Sequence, residues 1–446
     1  MSKNLTSGKP LQQIVGFLGT VCAGSALMQI YSAVSTLITG HYLGVDAIGG
    51  ISSAGQISGM VQGFLVALMC GFAIPMTKAF GADDRERICR YLWWGLILGL
   101  SLSLLAVLIL LPLRDILLHA IKLPQENYAS GSSYLLWAVL AIPPIVLYNL
   151  TFYICHALGD GKLAASSQGV VAALTLISEI LFLVVLGWDA AGVAVATLVS
   201  NAAGGIMTLV VLLRKNPELR FRKEDLRFHP GIIRSLMRNG LPNAGSNSML
   251  CAVGIIVQTA INSMGSHYVN AYALGTKLFS MLNVPASSVD STYKTYLCQN
   301  AGAGRVDRIR QGYRIGIAMG AVFTAVYLAL VTNFTPWLVE FLVGGTDGQT
   351  VELVRQYLVI NGAVMIAWCV STVYRHTPPA LGRPGTMAVS GLIEAGSRMV
   401  ACAIIYRFGF IGACLLQPIG WVIRGVYDIV MSYVLLHKAE AKYAVK

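Results

Sequence analysis

Long apolar stretches recur along the whole chain, each ended by charged residues, glycine or proline. A helix of about 20 apolar residues crosses the hydrocarbon core of a bilayer, and twelve stretches have the length that this requires. Because lipid offers no hydrogen-bond partner to backbone N–H and C=O groups, each stretch is predicted to be helical. The predicted spans are 14–38, 47–77, 91–113, 133–157, 163–187, 191–213, 240–263, 268–297, 313–335, 353–376, 386–407 and 410–436.

The composition indicates the same class of protein. Of the 446 residues, 56% are hydrophobic and only 12% are charged, and the mean hydropathy is +0.67. Soluble domains carry about 25% charged residues, so a soluble protein, a disordered chain and a coiled coil are excluded. The nine cysteines are scattered without CxxC spacing, which indicates neither a disulfide framework nor a zinc site. We therefore predict an all-α protein that crosses the lipid bilayer many times.

The distribution of lysine and arginine predicts the orientation in the membrane. With the N-terminus in the cytoplasm and cations at span ends counted with the adjoining loop, 24 of the 32 cations fall in cytoplasmic segments, four fall outside, and four lie well inside spans. Such a bias places both termini in the cytoplasm and is expected of a plasma membrane protein, here one of the bacterial inner membrane. It also accounts for the net charge of +12 through contacts with anionic lipid headgroups, so we expect no nucleic-acid partner.

An internal repeat appears when the chain is compared with itself at an offset of 221 residues. The pair Gly81-Ala82 then falls on Gly302-Ala303, and "ALGDGK" has a counterpart in "ALGRPG". Each half holds six spans, so both halves enter the membrane from the same side, as parallel repeats do. Two similar lobes suit alternating access to a site between them, and we predict a transporter. The predicted domains are an N-terminal lobe, 1–213, a basic cytoplasmic linker, 214–239, and a C-terminal lobe, 240–446.

Ionisable side chains inside the predicted spans are the first candidates for function. Each unpaired charge in a bilayer costs at least about 2.5 kcal/mol, so these groups must pair, become neutral or face water. The eight are Glu179, Lys277, Asp290, Lys294, Glu394, Arg398, Arg424 and Asp428. Six of them form three pairs of opposite charge, four residues apart on one helix face, and can form local ion pairs. Only Glu179 and Lys277 have no partner nearby in the sequence.

Glu179 is the best candidate for a coupling residue on these grounds. A lone carboxylate in a low-dielectric environment favours its neutral form, so it can take up a proton or a cation near neutral pH. The C-terminal lobe instead carries four cations and three anions within its spans, a balance that does not favour a cationic ligand. The candidate cavity residues there are Lys277, Asp290, Glu394, Arg398, Arg424 and Trp368, the last for contact with an aromatic cation.

Three segments carry a resemblance to a known family. They are "YSAVSTLITGHYLGVDAIGG", "INSMGSHYVNAYALGTKLFSMLNVPASSV" and "QNAGAGRVDRIRQG". They resemble segments of multidrug and toxic compound extrusion (MATE) transporters, which belong to the wider multidrug/oligosaccharidyl-lipid/polysaccharide exporter superfamily. The resemblance implies two six-helix lobes that form a V. It also implies export of organic cations in exchange for H+ or Na+.

The resemblance further implies a cation site in the N-terminal lobe, built in the family from acidic and amide side chains. The matching positions are Tyr31 and Ser35 in the first span, Asn149 in the fourth, Thr175 and Glu179 in the fifth, and Thr197 in the sixth. Two of these depart from the family pattern, because Ser35 replaces an aspartate and Thr175 replaces an asparagine. One carboxylate among hydroxyls still binds a proton but is a poor sodium site, so we expect coupling to H+ rather than Na+.

Other functions stay open at this stage. Some members of the superfamily flip lipid-linked sugars, and the basic residues Lys277, Arg398 and Arg424 suit a phosphate, so export of an anionic or lipid-linked substrate is the alternative. An intramembrane enzyme or a channel is more remote, because the seven histidines are dispersed and no HExxH or nucleotide-binding motif occurs. We expect a monomeric antiporter of small molecules with no catalytic residues, no metal site and no cofactor beyond the coupling ion.

Overall fold

The computed structural model describes residues 4–120, 125–227, 229–343 and 348–444, and these ranges are helical almost throughout, with no strand among them. The helices are α1 (Pro10–Gly81), α2 (Arg85–Ala120), α3 (Gln125–Leu140), α4 (Ile142–Ala157), α5 (Gly161–Glu179), α6 (Ala190–Lys215), α7 (Pro230–Asn262), α8 (Ser266–Leu282), α9 (Val284–Gly302), α10 (Val306–Val343), α11 (Gly348–Arg375), α12 (Thr377–Ala380) and α13 (Gly385–Ala444). A π-helical turn, Ile180–Val185, extends α5, and two short 3-10 turns, Pro217–Leu219 and Lys223–Leu226, follow α6.

The predicted membrane spans coincide with these helices. Within the described ranges, nine helical segments are long and apolar enough to cross a membrane, and a bent pair, Asn127–Leu140 with Ile142–Ala157, makes a tenth. The pair bends by 46°, where two prolines at the start of α4 lack the N–H groups that would continue α3. The two other predicted spans, 268–297 and 386–407, are also helical, but the first is interrupted at Asn283, between α8 and α9.

Two of the long helices each contain two predicted spans. The first, α1, comprises the apolar segments Pro10–Leu43 and Gly50–Gly81. In α13, Gly409 adopts a positive φ of 56°, a conformation that glycine tolerates without steric cost. This kink separates the eleventh predicted span from the twelfth.

The internal repeat is visible in the backbone conformation. Asp83 follows α1 with φ 53°, and Gly304 follows α9 with φ 71°, at the offset of 221 residues found in the sequence. Gly159 ends α4 with φ 71°, and Gly382 ends α12 with φ 90°, at the matching positions of "ALGDGK" and "ALGRPG". The two halves therefore end corresponding helices with a residue of positive φ at the matching position, as expected of a duplicated bundle.

The described chain divides into two compact units. One comprises Gly19–Ala244, and the other comprises Leu5–Leu18 together with Gly245–Lys446. Each has its own apolar core, with Phe72 and Leu92 fully buried in the first and Tyr357 in the second. The first unit is also packed through small residues, because a Cβ atom on Gly71 would lie 2.6 Å from the Cα atom of Gly240. Such close helix contacts are typical of membrane bundles.

The motif "QNAGAGRVDRIRQG" holds the N-terminal segment of the second unit. The Leu5 amide donates to Gln299 Oε1 at 2.9 Å. The Arg308 guanidinium donates to the backbone oxygens of Leu5 at 3.0 Å and Gly8 at 2.8 Å, and its Nε donates to Asn300 Oδ1 at 3.0 Å. Leu5 itself is fully buried. The motif therefore has a structural role at the start of the chain.

Candidate functional site

Glu179 is the last residue of α5, and its side chain is fully buried. Its Oε1 atom accepts a hydrogen bond of 2.8 Å from the Ser35 hydroxyl of α1. Its Oε2 atom is buried and has no hydrogen-bond partner among the residues that the structure describes. A buried carboxylate oxygen without a donor is costly to keep charged, so this atom is a natural position for a proton.

Hydroxyl groups from several helices surround this carboxylate. The Tyr31 hydroxyl, one turn before Ser35 on α1, interacts with the side chains of Ser35 and Thr175 and electrostatically with Glu179. Thr175 lies one turn before Glu179 on α5. Its Oγ1 atom is 2.7 Å from the Ser200 hydroxyl oxygen of α6. We call Tyr31, Ser35, Thr175, Glu179 and Ser200 the carboxylate–hydroxyl cluster.

Two residues that the family resemblance assigned to this site make different contacts. The Thr197 hydroxyl donates to the Val193 carbonyl within α6, at 3.1 Å. Thr197 still reaches the cluster through its backbone oxygen, which accepts from the Ser200 hydroxyl at 3.1 Å. The Asn149 amide donates to the Ile145 carbonyl within α4, at 2.9 Å. The hydroxyl of Thr197 and the amide of Asn149 are thus engaged by their own helices.

Sequence reasoning missed two neighbours of Glu179. Ser200 was detectable in principle, because it lies three residues after Thr197 and therefore near it on the same face of α6. Tyr134 of α3 acts electrostatically on Glu179, but no spacing in the sequence relates the two residues. After Glu179 the backbone forms the π-helical turn, a rare irregularity that often occurs at functional sites.

A second buried polar cluster lies in the second unit, on α11 and α13. Glu394 accepts from Arg398 with Oε1 and from Arg424 with Oε2. Arg424 Nε also donates to the Ser371 hydroxyl at 2.8 Å and lies 3.6 Å from an Asp428 carboxylate oxygen. The two local pairs expected from the sequence within α13, Glu394 with Arg398 and Arg424 with Asp428, are present, and the bond between Glu394 and Arg424 joins them.

The other predicted cavity residues make contacts of their own. The Oδ1 atom of Asp290, on α9, is 2.9 Å from His376 Nε2, and the Asp290 carboxylate interacts electrostatically with Arg375 and Lys294. Lys277 is exposed on α8. Trp368 of α11 is half-buried, with its ring centroid 6.2 Å from that of Trp421. In the part of the chain that the structure describes, no three His, Cys, Asp or Glu side chains group as metal ligands would.

These features together define a multi-pass membrane protein of two helical units, each with a buried polar cluster, which is the architecture of a secondary transporter. The chain belongs to the MatE family, whose sequence model matches residues 21–170 and 242–404. The family consists of transporters rather than enzymes, and its members function without a cofactor. The resemblance inferred from the sequence motifs is thereby confirmed.

Individual relatives agree with this assignment. The chain is 24% identical to "Probable multidrug resistance protein YoeA" of Bacillus subtilis over 357 residues, which cover 77% of this chain and 76% of the relative. It is 22% identical to an "FAD transporter" of Shewanella oneidensis, with 86% of each chain covered. A crystal structure of MATE in complex with MaL6 superposes with a TM-score of 0.90 at 16% identity, covering 99% of this chain and 100% of that one. The likeness to that structure confirms the fold.

Proposed function

We propose that this protein exports organic, cationic or amphipathic compounds in exchange for protons, and that Glu179 carries the proton. The observation behind the proposal is the buried Glu179 carboxylate with one hydroxyl donor and one unpartnered oxygen. Several relatives are named as multidrug resistance or multidrug export proteins, which favours organic compounds as the substrate class. Ser35, Tyr31, Thr175, Thr197 and Asn149 complete the proposed ion-coupling site.

Protonation of Glu179 changes the contact between α1 and α5. A charged carboxylate is a strong acceptor for the Ser35 hydroxyl, and a neutral carboxyl group is a weaker one. A proton that arrives from outside therefore loosens the link between Ser35 and Glu179. In the proposed cycle, the altered packing lowers the affinity for the exported compound, which binds again only after the proton has left towards the cytoplasm.

Proton coupling suits this site better than sodium coupling. The cluster offers one carboxylate, and its other side-chain ligands are neutral hydroxyls. A sodium ion needs several oxygen ligands at once, whereas a proton needs only one basic atom. The Ser35 hydroxyl occupies the position of the family's aspartate, which removes the second charge that would hold a metal cation.

The remaining assignments follow from this proposal. The substrate cavity includes Lys277, Asp290, Glu394, Arg398, Arg424 and Trp368. The lobes comprise 1–213 and 240–446, joined by the basic linker 214–239. Both termini lie in the cytoplasm, the membrane is the bacterial inner membrane, and the transporter functions as a monomer.

Export of an anionic or lipid-linked substrate is the second candidate. It is favoured by the exposed Lys277 and by the basic balance of the ionisable groups in the spans of the second unit. The relative named as an FAD transporter, whose named substrate carries phosphate groups, is consistent with this candidate.

Ethidium efflux, measured in everted membrane vesicles as uptake into the lumen, tests the proposal. A pH gradient or a sodium gradient is imposed on vesicles that contain wild-type protein, Glu179→Gln or the control Glu352→Gln. The control alters an exposed ion pair with Arg355. We expect proton-driven efflux that is lost only in Glu179→Gln. Unchanged proton-driven efflux in that variant would overturn the role of Glu179, and efflux driven only by sodium would overturn proton coupling. Absence of efflux with either gradient, in folded protein, would favour the second candidate.

A further inference from the structure

Two guanidinium groups in the second unit bond to one carboxylate, and a third lies near enough to act on it electrostatically. Arg398 and Arg424 donate to the two oxygens of Glu394, and Arg375 acts electrostatically on Glu394, Arg424 and Asp428. We call Arg375, Arg398 and Arg424 the arginine cluster. It is held by α11 and α13, and none of its members belongs to the carboxylate–hydroxyl cluster of the first unit.

The charges of this region do not balance. The three cations of the arginine cluster face the two anions Glu394 and Asp428, which leaves one positive charge. Including the neighbouring Asp290 and Lys294 adds one charge of each sign, so the excess is unchanged. A buried charge without a counter-charge costs several kcal/mol. Arg424 is matched by Glu394 and Asp428, so the excess falls on Arg375 and Arg398, which are partly buried and only partly relieved by solvent.

Each arginine also keeps an unused hydrogen-bond donor. Arg375 Nε, Arg398 Nε and Arg424 Nη2 are buried and have no acceptor among the described residues. The nearby hydroxyls are engaged by other atoms. Ser371 Oγ accepts from Arg424 Nε at 2.8 Å and Ser246 Oγ accepts from Arg375 Nη2 at 3.2 Å, while Ser371 and Ser390 donate to Asp428 at 2.9 and 2.8 Å. Water would satisfy such donors but leave the charge uncompensated. A ligand with a single negative charge and several acceptor lone pairs would satisfy both needs.

Aromatic rings lie beside the arginine cluster. Trp421 is three residues before Arg424 on α13, and its ring stacks on Phe279 with centroids 5.9 Å apart. Trp368 lies next to Trp421 and seven residues before Arg375, on the same face of α11. The side chain of Arg398 is 18% exposed, so the cluster is not sealed from a ligand. Trp421 is 4% exposed and already packed, so the half-buried Trp368 is the ring that a flat apolar ligand can contact while its charged group meets the guanidinium groups.

We propose that the arginine cluster binds an anion of single charge, and that this anion is the carboxylate of an aromatic compound. One negative charge matches the excess of one positive charge, and the adjacent ring of Trp368 matches an aromatic body. A free inorganic anion such as chloride carries the same charge, and the experiment below distinguishes it from an aromatic carboxylate. The inference does not depend on Glu179 or on the coupling ion, because it concerns binding at equilibrium in the second unit.

Binding to the purified full-length protein in detergent tests this proposal without any ion gradient. The probes are 2-naphthoate, the matched cation 2-naphthylmethylammonium, and chloride, each added to a gluconate buffer. Equilibrium dialysis gives Kd, and the melting temperature reports stabilisation. We expect 2-naphthoate to bind and to raise the melting temperature, with chloride weaker. The cation, which can bind elsewhere as an exported compound, should bind equally to wild-type protein and to Arg398→Gln.

Variants of Arg398, the most accessible member of the cluster, locate the site. Arg398→Gln should weaken 2-naphthoate binding by about tenfold or more, the range for loss of a charge-assisted hydrogen bond, and Arg398→Lys should restore part of it. The control Arg355→Gln removes an exposed arginine of the same unit and should bind as wild type does. Absence of 2-naphthoate binding, 2-naphthoate binding unchanged in Arg398→Gln, or a loss of cation binding in Arg398→Gln as large as that of 2-naphthoate would each overturn the proposal. Chloride that stabilises as well as 2-naphthoate would overturn the aromatic carboxylate as the ligand.

Discussion

The Ser35 hydroxyl donates to Glu179 Oε1 at 2.8 Å, whereas Glu179 Oε2 has no partner within the described chain. This single bond joins α1 to the last residue of α5. Because it favours the charged form of the carboxylate, it sets how readily Glu179 gives up its proton.

Replacement of Ser35 by alanine should therefore shift the pH profile of transport. Without the hydroxyl donor the charged form of Glu179 is less stable, so a lower proton concentration suffices to protonate it. A hydrogen bond worth about 1 kcal/mol corresponds to somewhat less than one pH unit. We expect the pH of half-maximal ethidium efflux to rise by roughly that amount, with Thr36→Ala, an exposed neighbour that bonds only within α1, as the control. A shift to lower pH would contradict the assigned role of this bond.

Much of the fold follows from the sequence, because the bilayer leaves few alternatives to a helix. The positions of the spans, the repeat and even the left-handed Gly159 and Gly382 are accounted for by apolar length and matched motifs. Glu179 stands out for a similar reason, as an ionisable residue with no partner nearby in its own span. Such features depend on local sequence and on the general cost of burying charge.

The contacts of the two clusters could not be derived in the same way. The participation of Arg375 could not be predicted from the spans, because this residue lies at the end of α11 and resembles a cation of a cytoplasmic loop. Its proximity to Glu394 and Arg424 depends on the packing of α11 against α13. The pairing of Asp290 with His376 likewise joins two elements that are 86 residues apart. Spacing within one helix predicts local pairs, and only the tertiary structure supplies the others.

The bond between Glu394 and two arginines should make this glutamate the most sensitive charged position of the second unit. In Glu394→Gln, the buried Arg424 and the partly buried Arg398 lose their shared counter-charge, which should destabilise the protein by about 3–5 kcal/mol. The melting temperature in detergent measures the effect. The double variant Glu394→Gln with Arg424→Gln should recover part of the loss, because it removes one uncompensated charge.

Glu352→Gln provides the control for that experiment. Glu352 also bonds to an arginine, but both side chains are nearly half exposed, so the change should stay within about 0.5 kcal/mol. Equal effects of the two substitutions would show that the buried network contributes no more than a surface ion pair.

The close approach of Gly71 to Gly240 predicts a steric limit in the first unit. A Cβ atom at position 71 would lie 2.6 Å from Gly240 Cα and 2.7 Å from the Asn239 carbonyl oxygen. Because these are backbone atoms, α7 would have to move, and Gly71→Ala should destabilise the protein by about 1–3 kcal/mol or more. Gly59→Ala, in the same helix with open space around it, should change stability by no more than about 1 kcal/mol. Similar melting temperatures for the two variants would rule out the tight packing.

Arg308 should control whether the N-terminal segment stays docked. Its guanidinium group bonds to the carbonyl oxygens of Leu5 and Gly8 and to Asn300. Arg308→Gln removes most of these charge-assisted bonds at a residue that is 5% exposed, at a cost of about 2 kcal/mol. If the free energy of local opening falls by about 2 kcal/mol, hydrogen exchange of the Leu5 amide becomes roughly thirtyfold faster. Exchange followed by mass spectrometry measures this change.

A variant of the neighbouring Arg305 is the control that distinguishes loss of the Arg308 bonds from a general loss of positive charge. Arg305 bonds to Asp307 at the surface, and both side chains are at least half exposed. Arg305→Gln should therefore leave exchange at Leu5 within about threefold of wild type, because an exposed pair contributes at most about 0.5 kcal/mol here. If both variants opened the segment equally, the net charge of this loop, rather than the bonds of Arg308, would hold the N-terminus. The melting temperature should change little in either variant, because the opening is local.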